Sequence, residues 1–280
     1  STDTAFNYSA GTYSVTVTDS DGCDGIESFT IIDPPLLNIN SNKSDPFCFG
    51  ENNGSINTTT AGGTLPYTYL WNDGVTDEDR LNNTGAGSYT VTVTDGNGCT
   101  ATTSETLIEP TDITIDSTVV NVSCNGFSDG EISLTVSGGI PGALTFDWTG
   151  GRTGNPITNL SAGKYFVTVT NVVGCTKVDS AVVSEPTLLQ VSSTFQDPSC
   201  VNGTDGSIDL TVSGGTLDYT FTWSDSGPTT EDRSGLGRGT YTVTVEDANG
   251  CFVVESNTLN DPPPILPNVT TTDVLCRGDN

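Results

Sequence analysis

GRGTYTVTVEDANGC, residues 237–251, is one of four versions of a single phrase in this chain. SAGTYSVTVTDSDGC ends at Cys23, GAGSYTVTVTDGNGC at Cys99 and SAGKYFVTVTNVVGC at Cys175. Tyr241, Val243 and Val245 alternate with threonines, the period-two pattern of a strand with one buried face. The threonines take the solvent face, where β-branching still favours an extended backbone. The Asp or Asn that follows, with Gly shortly after, is turn chemistry.

Outward from that phrase, the whole chain repeats at one step. Tyr13, Tyr89, Tyr165 and Tyr241 lie 76 residues apart, as do Pro34, Pro110, Pro186 and Pro262. The cysteines form two series at the same step: Cys23, Cys99, Cys175 and Cys251, then Cys48, Cys124, Cys200 and Cys276. The period predicts the tail of a repeat at 1–34, whole repeats at 35–110, 111–186 and 187–262, and the head of another at 263–280. We expect the chain to be part of a longer array.

Within the third repeat, TLLQVSSTF (187–195) reads as a first strand, followed by a cysteine loop. SIDLTVSGG (207–215) turns Ile208, Leu210 and Val212 inward. LDYTFTW (217–223) places Leu217, Tyr219, Phe221 and Trp223 on one face. SDSGPTTEDRSGLGRG is turn material with a short edge strand, and FVVESNTL (252–259) pairs back on residues 240–247. Six or seven short strands predict an all-β fold, a tandem array of small Ig-like β-sandwich modules forming an elongated, semi-rigid rod, and the segments WNDG (71–74) and YTVTVTD (89–95) resemble those of PKD-like sandwich domains. The core aromatics are Trp71, Tyr89, Trp148, Tyr165, Trp223 and Tyr241.

Eight cysteines at fixed places in modules this small imply disulfides made outside the cytosol. There is no histidine and no CxxC pair to build a zinc site. Two pairings meet the spacing. Pairing within a repeat (Cys48–Cys99, Cys124–Cys175, Cys200–Cys251) is the one we favour. Pairing across each junction (Cys23–Cys48, Cys99–Cys124, Cys175–Cys200, Cys251–Cys276) satisfies all eight. A 76-residue sandwich has little core, and closing the 51-residue loop from Cys48 to Cys99 would contribute about 4 kcal/mol in the chain-entropy account.

Composition narrows the function classes. The charged fraction is 15%, with 35 acidic against 8 basic side chains and a net charge of −27. That balance argues against nucleic acid and against an anionic membrane surface. No apolar run is long enough to span a bilayer, so no direct membrane insertion is expected.

CNGFSDGEISLTVSGG (124–139), GGTLPYTYLWNDG (62–74) and SAGKYFVTVTNVVGC (161–175) together resemble the SprB repeat of Bacteroidota surface proteins. The resemblance extends over the whole chain, with modest departures such as Asn53 where Asp129 and Asp205 stand in the later repeats. It implies a secreted protein of the type IX route on the exterior of the bacterial outer membrane. It further implies a filamentous adhesin used in gliding motility and surface attachment. Its partners would be the cell-surface motility machinery and an extracellular surface or polysaccharide met by other parts of the protein.

Chemistry is sparse. No GxSxG, HExxH, P-loop or GxGxxG is present, and the acids lie in turns, so no enzyme is expected and no cofactor is required. Calcium is the one ligand that the acidic turns suggest, through Asp73, Asp77 and Asp79 in one loop and Asp19 and Asp21 in another. The competing reading is that Asp, Asn and Gly are ordinary turn formers. Two functional classes remain: a shaft that holds a binding tip away from the cell, or repeats that themselves form a polysaccharide- or protein-binding array.

Overall fold

The computed structural model describes residues 8–271. It is built of β-strands, with one 3-10 turn at Thr149–Gly151. A hairpin opens it, β1 (Gly11–Thr18) paired antiparallel with β2 (Asp24–Ile31). Six strands follow: β3 (Asn38–Ser44), β4 (Gly54–Ala61), β5 (Thr68–Trp71), β6 (Arg80–Thr84), β7 (Gly87–Thr94) and β8 (Thr100–Leu107). They form two three-stranded sheets, β3-β4-β6 and β5-β7-β8.

The same order recurs twice. β9 (Thr114–Val120), β10 (Gly130–Ser137), β11 (Thr145–Trp148), β12 (Ile157–Leu160), β13 (Gly163–Thr170) and β14 (Thr176–Val183) make sheets β9-β10-β12 and β11-β13-β14. β15 (Gln190–Gln196), β16 (Gly206–Ser213), β17 (Thr220–Trp223), β18 (Arg233–Leu236), β19 (Gly239–Glu246) and β20 (Phe252–Leu259) make β15-β16-β18 and β17-β19-β20. The fold is all-β, in tandem small sandwiches.

Each core is supplied from both sheets. Ile56 of β4 packs with Trp71, Val91, Val93 and Leu107 of the facing sheet. Ile208, Leu210 and Leu236 meet Trp223, Val243, Val245 and Leu259 in the same way. Val91, Val93, Val243 and Val245 are fully buried, which is the period-two alternation realised. On the outer face of β7 and β19 the hydroxyls pair across the strands: Thr90 with Ser104 at 2.8 Å, Thr240 with Thr258 at 3.0 Å and Thr242 with Ser256 at 3.1 Å. Such cross-strand pairs stabilise the ladder and fix its register.

The tyrosine of the repeated phrase closes a corner. Its hydroxyl donates to the carbonyl four residues upstream: Tyr13 to Ser9, Tyr89 to Gly85, Tyr165 to Ser161 and Tyr241 to Gly237, at 2.8 to 3.1 Å. This is the back-bonded tyrosine found in immunoglobulin-type sandwiches.

Two expectations change. Leu217 does not face inward; it is 74% exposed, like its counterpart Leu65. The cause is the corner at Gly214-Gly215, both at positive φ, after which the chain regains strand geometry only at Thr220. Likewise β15 begins at Gln190 rather than Thr187, because the Thr187 carbonyl instead accepts the Gly215 N–H at 2.8 Å.

By compactness the described residues fall into two units. One holds the chain up to Thr114 with Val136–Leu144 and Thr170–Lys177; the other holds Ile115–Thr135, Thr145–Val169 and the chain from Val178. The middle repeat thus contributes to both.

Candidate functional site

The cysteines bond in a pattern that neither sequence pairing anticipated. Cys48 is joined to Cys175, with Cα atoms 5.6 Å apart, and Cys124 to Cys251, at 5.7 Å. Each bond spans 127 residues. The loop cysteine of one repeat therefore takes the turn cysteine of the next. Pairing within a repeat fails because the two cysteines of one repeat sit at different places in it. Cys48 lies in the loop between β3 and β4, Cys99 in the turn between β7 and β8. Cys23, Cys99 and Cys200 are exposed thiols, and Cys276 lies outside the described residues.

The loop cysteine is positioned by two acceptors that recur at the 76-residue step. Asn53, Asp129 and Asp205 each accept, through Oδ1, the backbone N–H six residues earlier (Phe47, Ser123, Ser199), all at 3.0 Å. An amide oxygen serves as well as a carboxylate here, so the Asn53 departure leaves the loop intact. The acid before the repeat-end proline reaches in from the other side. Glu109 accepts from Gly50 N–H at 2.5 Å, Glu185 from Gly126 at 2.7 Å and Asp261 from Asn202 at 3.2 Å.

The turn cysteine is held by an Asx turn. Asp19, Asp95, Asn171 and Asp247 each accept with Oδ1 from the N–H groups two and four residues on, the latter that of Cys23, Cys99, Cys175 or Cys251 at 2.8–2.9 Å. In Asp95 and Asp247, Oδ2 also accepts from Thr64 and Thr216, both at 2.9 Å. These bonds, Thr64 foremost, hold the Asp95 carboxyl below the ordinary carboxylate range. Burial opposes the same shift in Asp247, and the N–H groups of Thr216, Cys251 and Asn249 overcome it. Asn249 adds a tie across the bonded pair, donating to Ser123 O at 3.0 Å and Thr216 Oγ1 at 3.1 Å.

The residues named for calcium are used otherwise. Asp73 pairs with Arg80, whose guanidinium lies over Trp71 and Tyr89 at 5.4 and 4.6 Å. Asp79 accepts the Thr58 N–H at 2.7 Å, and the Asp77 carbonyl accepts the Trp71 indole N–H at 2.9 Å. Asp19 caps its own turn, and Asp21 enters it only through its N–H. In the third repeat Arg233 grips Asp225 with two bonds of 3.0 and 2.9 Å and stacks 5.1 Å from the Trp223 ring. That contact lowers the Asp225 carboxyl to about 2. Among the described residues no three acidic or cysteine side chains converge as a metal-holding group.

The aromatics stand in the cores. Trp71, Trp148 and Trp223 are buried, and each indole N–H is spent on a backbone carbonyl, of Asp77, Gly154 and Thr230. Tyr89 and Tyr241 are half-buried beside them. Glu109, Glu185 and Asp261 were not singled out from the sequence, although their 76-residue step was a visible signal.

The SprB repeat family matches residues 40–76, 117–153 and 192–228, each stretch carrying a loop cysteine and a core tryptophan. No curated protein matches significantly. Among solved structures, the N-terminal eight Ig domains of Down Syndrome Cell Adhesion Molecule (DSCAM) isoform 1.30.30 align at 12% identity and a TM-score of 0.30. That alignment covers 90% of this chain and 51% of that one, so the chain spans about half of its length. The N-terminal four Ig domains of Dscam1 isoform 9.44 align at 15% identity and TM-score 0.25, over 90% of this chain and 80% of that one. Superpositions this loose carry no argument, and the fold stands on the sheets themselves. The chain is an SprB-like repeat protein, with three matched copies of the repeat.

Proposed function

We propose that this chain is a shaft segment of a secreted, filamentous adhesin at the bacterial cell surface, serving gliding motility and attachment. Its repeats are 35–110, 111–186 and 187–262, with parts of others at 1–34 and 263–280, and together they act as a semi-rigid rod. Binding of a substratum and coupling to the motility machinery belong to other parts of the protein. Calcium is not needed for this role. No helix among the described residues is long and apolar enough to cross a membrane.

The overlapping disulfides carry this reading. Pulled from both ends, the backbone from Cys48 to Cys251 covers about 200 residues and would extend to about 700 Å. With both bonds closed, the shortest covalent path runs from Cys48 to Cys175, back to Cys124 and across to Cys251. That path holds about 50 residues and reaches about 170 Å. Such wiring resists extension far beyond what two separate sandwiches would, and a force-transmitting shaft needs that property. The alternative of a sugar-binding array would look to the tryptophans, and those are buried with their N–H groups already bonded.

Single-molecule stretching of the chain, oxidised and then reduced, tests the proposal. We expect the length released on unfolding to rise by several hundred ångströms after reduction. Equal lengths in both states would remove the mechanical argument.

A further inference from the structure

Cys200 is an exposed thiol in a loop built like those of Cys48 and Cys124. Its Asp205 and Asp261 acceptors are in place. Around it lies an apolar groove lined by Val201, Pro262, Pro263, Pro264 and Ile265. The corresponding grooves at the two closed bonds are lined by the same loop and linker positions and, in addition, by the glycine corner and the Gly-Cys turn of the following repeat. In one these are Gly139, Gly174 and Cys175; in the other, Gly215, Gly250 and Cys251. Ile265 corresponds at the 76-residue step to Ile113 and Leu189. Those two are 4% and 7% exposed, whereas Ile265 is 96% exposed.

We infer that the Cys200 loop and the Pro262–Ile265 groove form a docking site for the Gly-Cys turn and Gly-Gly corner of a further SprB-type repeat. The site closes as a disulfide. Twice in this molecule the equivalent surface is occupied by that element, and the third copy keeps the two backbone N–H bonds that the first two loops share. In the reaction the Cys200 thiol and the incoming turn thiol exchange with a low-molecular-weight disulfide: the first breaks its S–S bond to form a mixed disulfide, and the second displaces the remaining half to form the protein S–S bond. The small disulfide leaves as two thiols, which take up the two protons. Ile265 is buried as the corner closes over it, and the Ser199 carbonyl takes the place that Ser123 O fills for Asn249. Cys99, exposed in an intact Asx turn, offers the complementary half toward the loop cysteine of a preceding repeat.

The inference deepens the shaft reading, but its test reads bond identity rather than mechanics, so either can fail alone. The chain is extended after Leu266 by a second copy of residues 115–186, followed by residues 263–280, which leaves the Pro262–Ile265 groove beside Cys200 and keeps the 76-residue step. The extended chain is refolded with oxidised glutathione and digested without reduction for peptide mapping. We expect Cys200 bonded to the inserted Cys175, a peptide pair that pairing within one repeat does not produce, with loss of maleimide labelling at Cys200. A Cys200→Ser version of the same chain should leave the inserted Cys175 reactive while Cys48–Cys175 and Cys124–Cys251 persist, which also reports that the chain has folded. Cys200 found as a free thiol, or bonded to Cys251, would overturn the inference.

Discussion

Asn171 stands where Asp95 and Asp247 stand in the neighbouring repeats, and it performs only half of their work. Its Oδ1 accepts from Val173 and Cys175, as theirs do from the matching positions. Its Nδ2, however, occupies the place of the oxygen that accepts from Thr64 or Thr216, and it is buried without a partner. The corresponding backbone N–H is that of Ile140. Asn171→Asp should therefore stabilise the protein by about 1 kcal/mol at neutral pH, read as a higher midpoint in denaturant. The sign with pH follows from the lowered carboxyls. Their folded values lie below the unfolded value of about 3.9, so their contribution is complete above it and fades as pH falls through the folded values. The gain from Asn171→Asp should be constant from pH 7 to about 5 and vanish between about pH 4 and 2. A gain that persists at pH 2 would contradict the bond we assign.

At the scale of the element, the strands were legible and the corner was not. β7, β13 and β19 declare themselves through Tyr-x-Val-x-Val, because a period of two with β-branched neighbours has few other uses. The path after the Gly-Gly pair depends on something no pattern shows, the approach of another backbone. Gly214 has φ +75, and a Cβ placed on it would lie 2.0 Å from the Leu188 carbonyl oxygen. Gly62 and Gly138 meet the same obstacle at Leu36 and Asp112. Gly214→Ala should cost about 2 kcal/mol or more, through strain and steric overlap together. Thermal unfolding followed by calorimetry would measure it. An unchanged midpoint would mean that the corner is free to open. The arginines belong at this scale too. Trp71 and Trp223 could be assigned to the core from alternation, but the covering Arg80–Asp73 and Arg233–Asp225 pairs could not, since the same acids read equally well as turn formers or cation ligands.

For the whole molecule, the disulfides tie successive repeats together, so their removal should be felt beyond one sandwich. A loop of 127 residues corresponds to roughly 4–5 kcal/mol in the chain-entropy account. Cys124→Ser combined with Cys251→Ser should lower the unfolding midpoint and separate the transition into more than one step by calorimetry. A single transition at the parent temperature would show that this bond ties the repeats without stabilising them.

The sequence by itself determined the period, the strands and their buried faces, the presence of disulfides and the SprB likeness, because each rests on local spacing or on composition. Only the tertiary structure decided which cysteines meet, since a bond across 127 residues depends on how a loop at one end of a repeat lies against a turn of the next. It also decided what the acids do, because a carboxylate joins whichever N–H or guanidinium the folded backbone brings within hydrogen-bond reach.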